Sequence, residues 1–370
     1  MGGHKKKSAL VLSGGGARGA YQVGVMQGLK EIIPVEHLHF DIYAGISAGA
    51  INTTYLASRA DNLPDGIEQL GKIWGNLTSS QVYKTDAPSL FAKGVKLAFS
   101  LVFGGMMAKR EIRSLLDTTP LNELLSKSIN FESLKKNLDN EVIDAVEVSA
   151  TDYSTASNIS FYDSKIIDVK WERSKRFSRK TELNLSHVMA STAIPIFFPP
   201  VPINHVPFGD GCVRNSAPLS PAIKLGARKL FLVGVKKSGK SDSQEGYPAN
   251  IGRVLGVLLN TVLLATIDQD LERLELTNQL ISKVSDQTTD GLRPIDYYYL
   301  TPSIDIGELA VELFDNLPKT MRYLLKGLGS KREVSELISY LMFEPKYCQK
   351  LIDIGRQDVI NQGTQIHNFI

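Results

Sequence analysis

A serine between glycines, Gly45-Ile46-Ser47-Ala48-Gly49, follows the apolar run Phe40-Asp41-Ile42-Tyr43. Upstream, Gly14-Gly15-Gly16-Ala17-Arg18-Gly19 follows Ala9-Leu10-Val11-Leu12. The G-x-S-x-G spacing is that of a strand-to-helix elbow, a turn that lifts a serine hydroxyl clear of the chain for attack on a carbonyl carbon. A glycine-rich run offers backbone N–H donors to the oxyanion that such an attack creates. A helix starting after Ser47 adds unbonded N–H groups and the positive end of its dipole. Together the two signals describe a hydrolase site.

The glycine run has a second reading. Gly14, Gly16 and Gly19 also fit G-x-G-x-x-G between a strand and a helix, the dinucleotide-binding fingerprint. That reading requires an acidic residue at the end of the second strand, where this chain has Ala44-Gly45-Ile46-Ser47. The oxyanion hole is therefore favoured, with Arg18 serving in either case as a cation beside phosphate or as a brace for the loop. A serine nucleophile also needs a base. The histidines, His4, His37, His39, His187, His205 and His367, have no motif around them. Asp210 in Phe208-Gly209-Asp210-Gly211 is the carboxylate alternative, since flanking glycines allow close approach, although Asp-Gly is equally a plain turn signal.

These residues must be carried by an α/β framework. Short β-rich runs at Ala9–Leu12, Phe40–Ala44, Ile143–Ala150, Asn158–Tyr162 and Lys229–Val235 alternate with helical patterns at Gly19–Ile33, Ala48–Ala60, Gly66–Leu77 and Ser186–Ser191. Two strand–turn–helix units at the start predict a parallel sheet covered on both faces. The segment 237–250, rich in Ser, Gly and Lys, is expected to be a loop or linker. A long helix over Ile251–Lys283, a strand at Tyr297–Leu300 and short amphipathic helices at Ile306–Phe314, Lys319–Leu328, Val334–Met342 and Tyr347–Gln357 make 251–370 a mainly helical C-terminal extension.

Composition sets limits. The 370 residues can bury a large core, and a net charge of +3 does not argue for nucleic acid. Cys212 and Cys348 imply no disulfide framework, which favours a reducing, cytoplasmic compartment. The apolar stretches Leu97–Ala108 and Val254–Ile267 fall short of the roughly 20 residues that span a bilayer. Ser89–Ala108, with lysines near its ends, reads equally as an interfacial lid or as a buried helix. The basic cluster Arg173, Lys175, Arg176, Arg179 and Lys180 reads as a solvated loop, with anionic headgroups as the alternative.

Ser191-Thr192-Ala193-Ile194-Pro195-Ile196-Phe197-Phe198-Pro199-Pro200, Asp210-Gly211 and Asn215-Ser216-Ala217-Pro218, taken with both glycine signals, resemble the patatin-like phospholipase family over 8–236. The resemblance implies a three-layer α/β/α fold with a mostly parallel sheet and a Ser-Asp dyad. Ser47 would be the nucleophile, Asp210 the general base, and backbone amides of Gly14, Gly15, Gly16 and Arg18 the oxyanion hole. It implies a phospholipid or lysophospholipid substrate and a mechanism that needs no cofactor or metal, while peripheral membrane contact rests on the Ser89–Ala108 segment and the basic cluster. Transfer of the acyl group to an alcohol, or lipid binding without catalysis, are the alternatives. Thr151-Asp152 is also similar to a family element, expected to be structural. Cys212 replaces the family's small residue after Asp-Gly, so a reactive thiol there would make activity redox-sensitive.

Overall fold

The computed structural model describes residues 6–84, 114–238, 254, 256–258, 260–261, 266–283 and 293–370. The expected linker beyond Ser238 and the Ser89–Ala108 segment lie outside the described residues.

β1 (Ser8–Leu12) and β2 (Ile42–Ile46) each lead into a helix, α1 (Gly19–Ile32) and α2 (Ala48–Ser58), α1 by way of a short 3-10 turn. The two strands are parallel, with Ala9 opposite Ile42 and Leu12 opposite Gly45. β3 (Ala145–Asp152) adds in parallel beyond β2, and β9 (Lys229–Val233) and β10 (Asp296–Leu300) add in parallel beyond β1. Past β3 the sheet becomes mixed. β4 (Ser157–Asp163) runs antiparallel to β3, and β5 (Glu172–Arg173) with β6 (Arg176–Lys180) finishes that edge. The hairpin of β7 (Val201–Ile203) and β8 (Val206–Asp210) also joins β3.

Alternate side chains of a strand point to opposite faces, and both faces here are apolar. Leu10, Leu12, Tyr43, Phe231 and Val233 enter one core with α1 and α2. Ala9, Val11, Ile42, Ala44, Leu230 and Leu232 enter another with Leu219, Ala222, Leu271 and Leu274. This is the three-layer α/β/α arrangement expected from the sequence.

The C-terminal residues share this framework. β10 extends the parallel sheet, and helix Pro345–Asn361 lies against α1 so closely that a methyl group on Gly24 would strike the backbone of Ile352. The Tyr21 hydroxyl donates to buried Asp358 at 3.0 Å across the same contact. No helix among the described residues is long and apolar enough to cross a membrane.

Several boundaries differ from expectation. The strand expected at 40–44 runs over Ile42–Ile46, because Asp41 stands at its entrance with its carboxylate accepting the Ser8 N–H at 2.6 Å. The strand therefore ends directly at Ser47. The helix expected from Gly66 starts at Leu63, where the Asn62 side chain accepts the Asp65 N–H. The β7–β8 hairpin and helices Thr119–Ser128 and Phe131–Asp139 were not anticipated.

Candidate active site

β3 acts as a ruler for the site. One of its edges carries β4 throughout, so β2 and β8 share the other. β2 runs parallel and ends with Ile46 opposite Ser149, whereas β8 runs antiparallel and ends with Asp210 opposite Ala150. The two strand ends meet head-on at adjacent rungs. Residues far apart in the chain are thereby set side by side, and Ser47 Oγ donates to Asp210 Oδ2 at 2.6 Å.

Ser47 occupies a backbone region that L-residues avoid, with φ 55° and ψ −125°. Such a conformation costs about 1–3 kcal/mol and persists only where its surroundings enforce it. Here the Ser47 N–H donates to Ser191 Oγ at 2.9 Å, and Ser191 Oγ donates in turn to the Ser149 carbonyl at 2.7 Å. The first turn of α2 presses against β1, since any side chain on Gly49 would meet the Leu12 carbonyl. The elbow is fixed from both sides.

Asp210 is fully buried and held at each polar atom. Its Oδ1 accepts the Cys212 N–H at 2.9 Å, its carbonyl accepts Thr151 Oγ1 at 2.8 Å, and its N–H donates to the Ala193 carbonyl at 3.0 Å. Burial pushes its carboxyl up to about 6, against the opposing pull of hydrogen bonds from Ser47 and Cys212. A carboxylate of that basicity is mostly ionised at neutral pH and still able to take a proton.

Of the oxyanion-hole candidates, Gly14 lies directly against Ser47 Cβ and the Cys212 sulfur. Gly16 has φ +57° and rests on the Tyr340 carbonyl, which leaves no room for a side chain. The amides of Gly15 and Gly16 have no acceptor among the described residues. Arg18 differs: its N–H donates to the Gly15 carbonyl at 3.2 Å, so it is spent on the turn and does not join the other donors. The Arg18 side chain is buried and acts as the brace. It donates to Ser339 Oγ at 2.8 Å through Nε, forms an ion pair with Glu336, and lies 4.6 Å from the centre of the Tyr340 ring.

No histidine among the described residues bonds to Ser47 or Asp210. His187 is buried against Phe161, its Nδ1 accepts the Asn184 N–H at 3.1 Å, and burial pushes it down to about 4. The redox expectation for Cys212 is corrected. Burial, followed by the neighbouring Asp210 charge, raises its thiol well above the ordinary value, so it remains protonated and unreactive at neutral pH. Thr151 has the structural role expected of it. Glu147 was not singled out from the sequence. It is fully buried in β3, accepts from Ser149 Oγ at 2.6 Å, and is pushed up to about 7 by burial.

An α/β/α sheet whose inner strand ends in a serine elbow, beside a glycine loop, is the frame of a hydrolase. The chain belongs to the patatin-like phospholipase family, whose model matches residues 10–223, and lipid hydrolysis is the activity of that class. Among solved structures, VipD from Legionella pneumophila is similar at 12% identity and a TM-score of 0.30, covering 95% of this chain and 67% of its own. Human GIVD cytosolic phospholipase A2 is similar at 12% identity and a TM-score of 0.36, covering 98% of this chain and 59% of its own. ExoU of Pseudomonas aeruginosa, solved with SpcU, is similar at 16% identity and a TM-score of 0.28, covering 94% and 52%. This chain thus spans only part of the length of each. No curated protein gives a significant match.

Proposed function

We propose that this protein is a serine lipid acyl hydrolase that cleaves a carboxylic ester of a phospholipid or lysophospholipid through an acyl-Ser47 intermediate. The observation that carries the reading is the 2.6 Å bond between Ser47 Oγ and the buried Asp210 carboxylate at a strained strand-to-helix elbow. Residues 8–236 supply this machinery, and Glu336, Ser339 and Tyr340 buttress the glycine loop.

Asp210 takes the hydroxyl proton as Ser47 Oγ attacks the ester carbonyl. The oxyanion that forms is met by the amides of Gly15 and Gly16 and by the first turn of α2, the Gly14 N–H being turned to the Cys212 sulfur. Collapse of the tetrahedral intermediate expels the alcohol, which receives the proton from Asp210. Water then enters, gives a proton to the same carboxylate and attacks the acyl-serine, and the fatty acid leaves as Ser47 recovers its proton. With no histidine between the two, the carboxylate itself must be basic enough, and burial makes it so. An acyl chain keeps such a site dry in a way that a hydrophilic ester does not.

The test is labelling with a fluorophosphonate probe, followed by fatty-acid release from mixed phospholipid vesicles. Labelling and release in wild type, both lost in Ser47→Ala and Asp210→Asn, is the expected result. An unlabelled wild-type protein that still binds vesicles would replace hydrolysis with lipid binding alone. Appearance of the acyl group on added lysolipid or glycerol, rather than as free acid, would mark a transacylase.

A further inference from the structure

On the face of the sheet covered by helices Ser220–Lys224 and Thr266–Lys283 there is a cavity of about 540 Å³ that contains neither residue of the dyad. Arg176, Lys224, Arg228, Arg273 and Arg293 line it, with Asp270 the one carboxylate among its lining residues. None of the five cations forms an ion pair within 4 Å among the described residues, unlike Arg18 or Arg356, which are paired with Glu336 and Glu31. Among the described residues, Arg228 and Arg273 bond to backbone carbonyls, those of Ala227 and Ser216. Asp270 accepts the Leu219 N–H at 3.0 Å and feels the charges of Arg176 and Arg273 without pairing with either, so one carboxylate is set against five cations.

The arrangement has a chemical meaning. The cations come from β6, from the end of helix Ser220–Lys224, from the approaches to β9 and β10, and from helix Thr266–Lys283, so the fold converges separate elements on one space. Like charges in excess of their counter-charge repel one another, and an anion that sits between them removes that repulsion. Guanidinium groups offer paired donors that match phosphate oxygens. Leu219, Leu274 and Ile295 supply an apolar wall, and the volume lies within the range of small-molecule sites. The basic cluster noted around Arg176 in the sequence thus contributes its inward member to a cavity.

We infer that this cavity is a binding site for a ligand carrying several phosphate charges, separate from the ester-cleaving site. Phosphate of that kind comes either free in solution or displayed on a lipid headgroup. The two sources are distinguished by using sodium tripolyphosphate in one arm and phosphatidylcholine vesicles with 10% phosphatidic acid in the other.

Calorimetric titration of the full chain with tripolyphosphate, and flotation with the vesicles, are run at low and at physiological salt. Saturable binding in either arm, weakened at least tenfold in Arg176→Gln/Arg273→Gln, supports the site, and the arm in which it occurs identifies the source. Arg273→Lys retains the charge without the paired donors and should fall between the two. Fluorophosphonate labelling of Ser47 should be equal in all variants, which also shows that they are folded. Absence of saturable binding in both arms overturns the inference. So does binding that the double variant leaves intact, since it would then belong to another surface, the glycine loop included.

Discussion

The basicity of Asp210 leads to a pH profile that can be calculated in advance. With its carboxyl at about 6, roughly 90% is ionised at pH 7 and about 9% at pH 5, so activity should fall about tenfold between them. In the proposed mechanism the base works only in its charged form, so the rate should rise with pH and level off above about 7. An ordinary aspartate would remain active to below pH 5. The assay is kcat/KM for a soluble short-chain ester from pH 4.5 to 8 at constant ionic strength, with Glu147→Gln run in parallel because that buried carboxyl titrates nearby. Cys212→Ala sharpens the test. The thiol helps to hold the charged form of Asp210, so its removal should move the inflection upward while the Cys212 N–H bond at 2.9 Å remains. A profile flat down to pH 4.5 would refute the argument that burial tunes this base. An inflection that follows Glu147 instead would assign the titration to the wrong carboxylate.

Glu147→Gln should stabilise the protein above pH 7 by about 2–3 kcal/mol and much less at pH 4.5. The native carboxyl, pushed up to about 7, holds a proton that the unfolded chain has already released, so wild-type stability falls as pH rises from about 4.5 to 7; urea titrations of both proteins at pH 4.5 and 8 show whether the gap opens. Gly24→Ala should cost about 1–3 kcal/mol, because the added methyl meets the Ile352 backbone, and an unchanged melting temperature would contradict that close contact. Glu336→Ala strands the buried Arg18 guanidinium and should cost about 3 kcal/mol, with Glu336→Gln losing less, as measured by thermal unfolding. Cys212 and Cys348 should resist iodoacetamide in the native protein and react in urea, so mass-spectrometric detection of rapid native labelling at Cys212 would contradict its protonated, buried state.

The serine elbow was legible because everything it requires is local: an apolar strand, two glycines at fixed spacing and a helix of small residues. Asp210 was legible only together with the motifs around it, since Asp-Gly alone is a common turn. What joins the two is the register of β3, and register depends on long-range pairing that no single segment displays. The β7–β8 hairpin escaped notice for a different reason. Pro199, Pro200, Pro202 and Pro207 read as loop, yet a short outlying hairpin tolerates residues that cannot donate to a ladder. Glu147 carried no signal either, because a carboxylate within a strand ordinarily faces water. The helix at Ser335–Leu341 was anticipated from its apolar spacing, but nothing in that spacing indicated that Glu336 and Ser339 would hold Arg18.

That last contact bears on the order in which the protein is made. Ser47 and Asp210 are synthesised long before Glu336 and Ser339, and until those arrive the Arg18 guanidinium lacks the two side chains that receive it in the interior. The glycine loop beneath the elbow therefore has its brace only when the Ser335–Leu341 helix has been translated and has closed over it. A nascent chain that has emerged only as far as Asp210 thus holds Ser47 and its carboxylate partner over a glycine loop that is not yet braced.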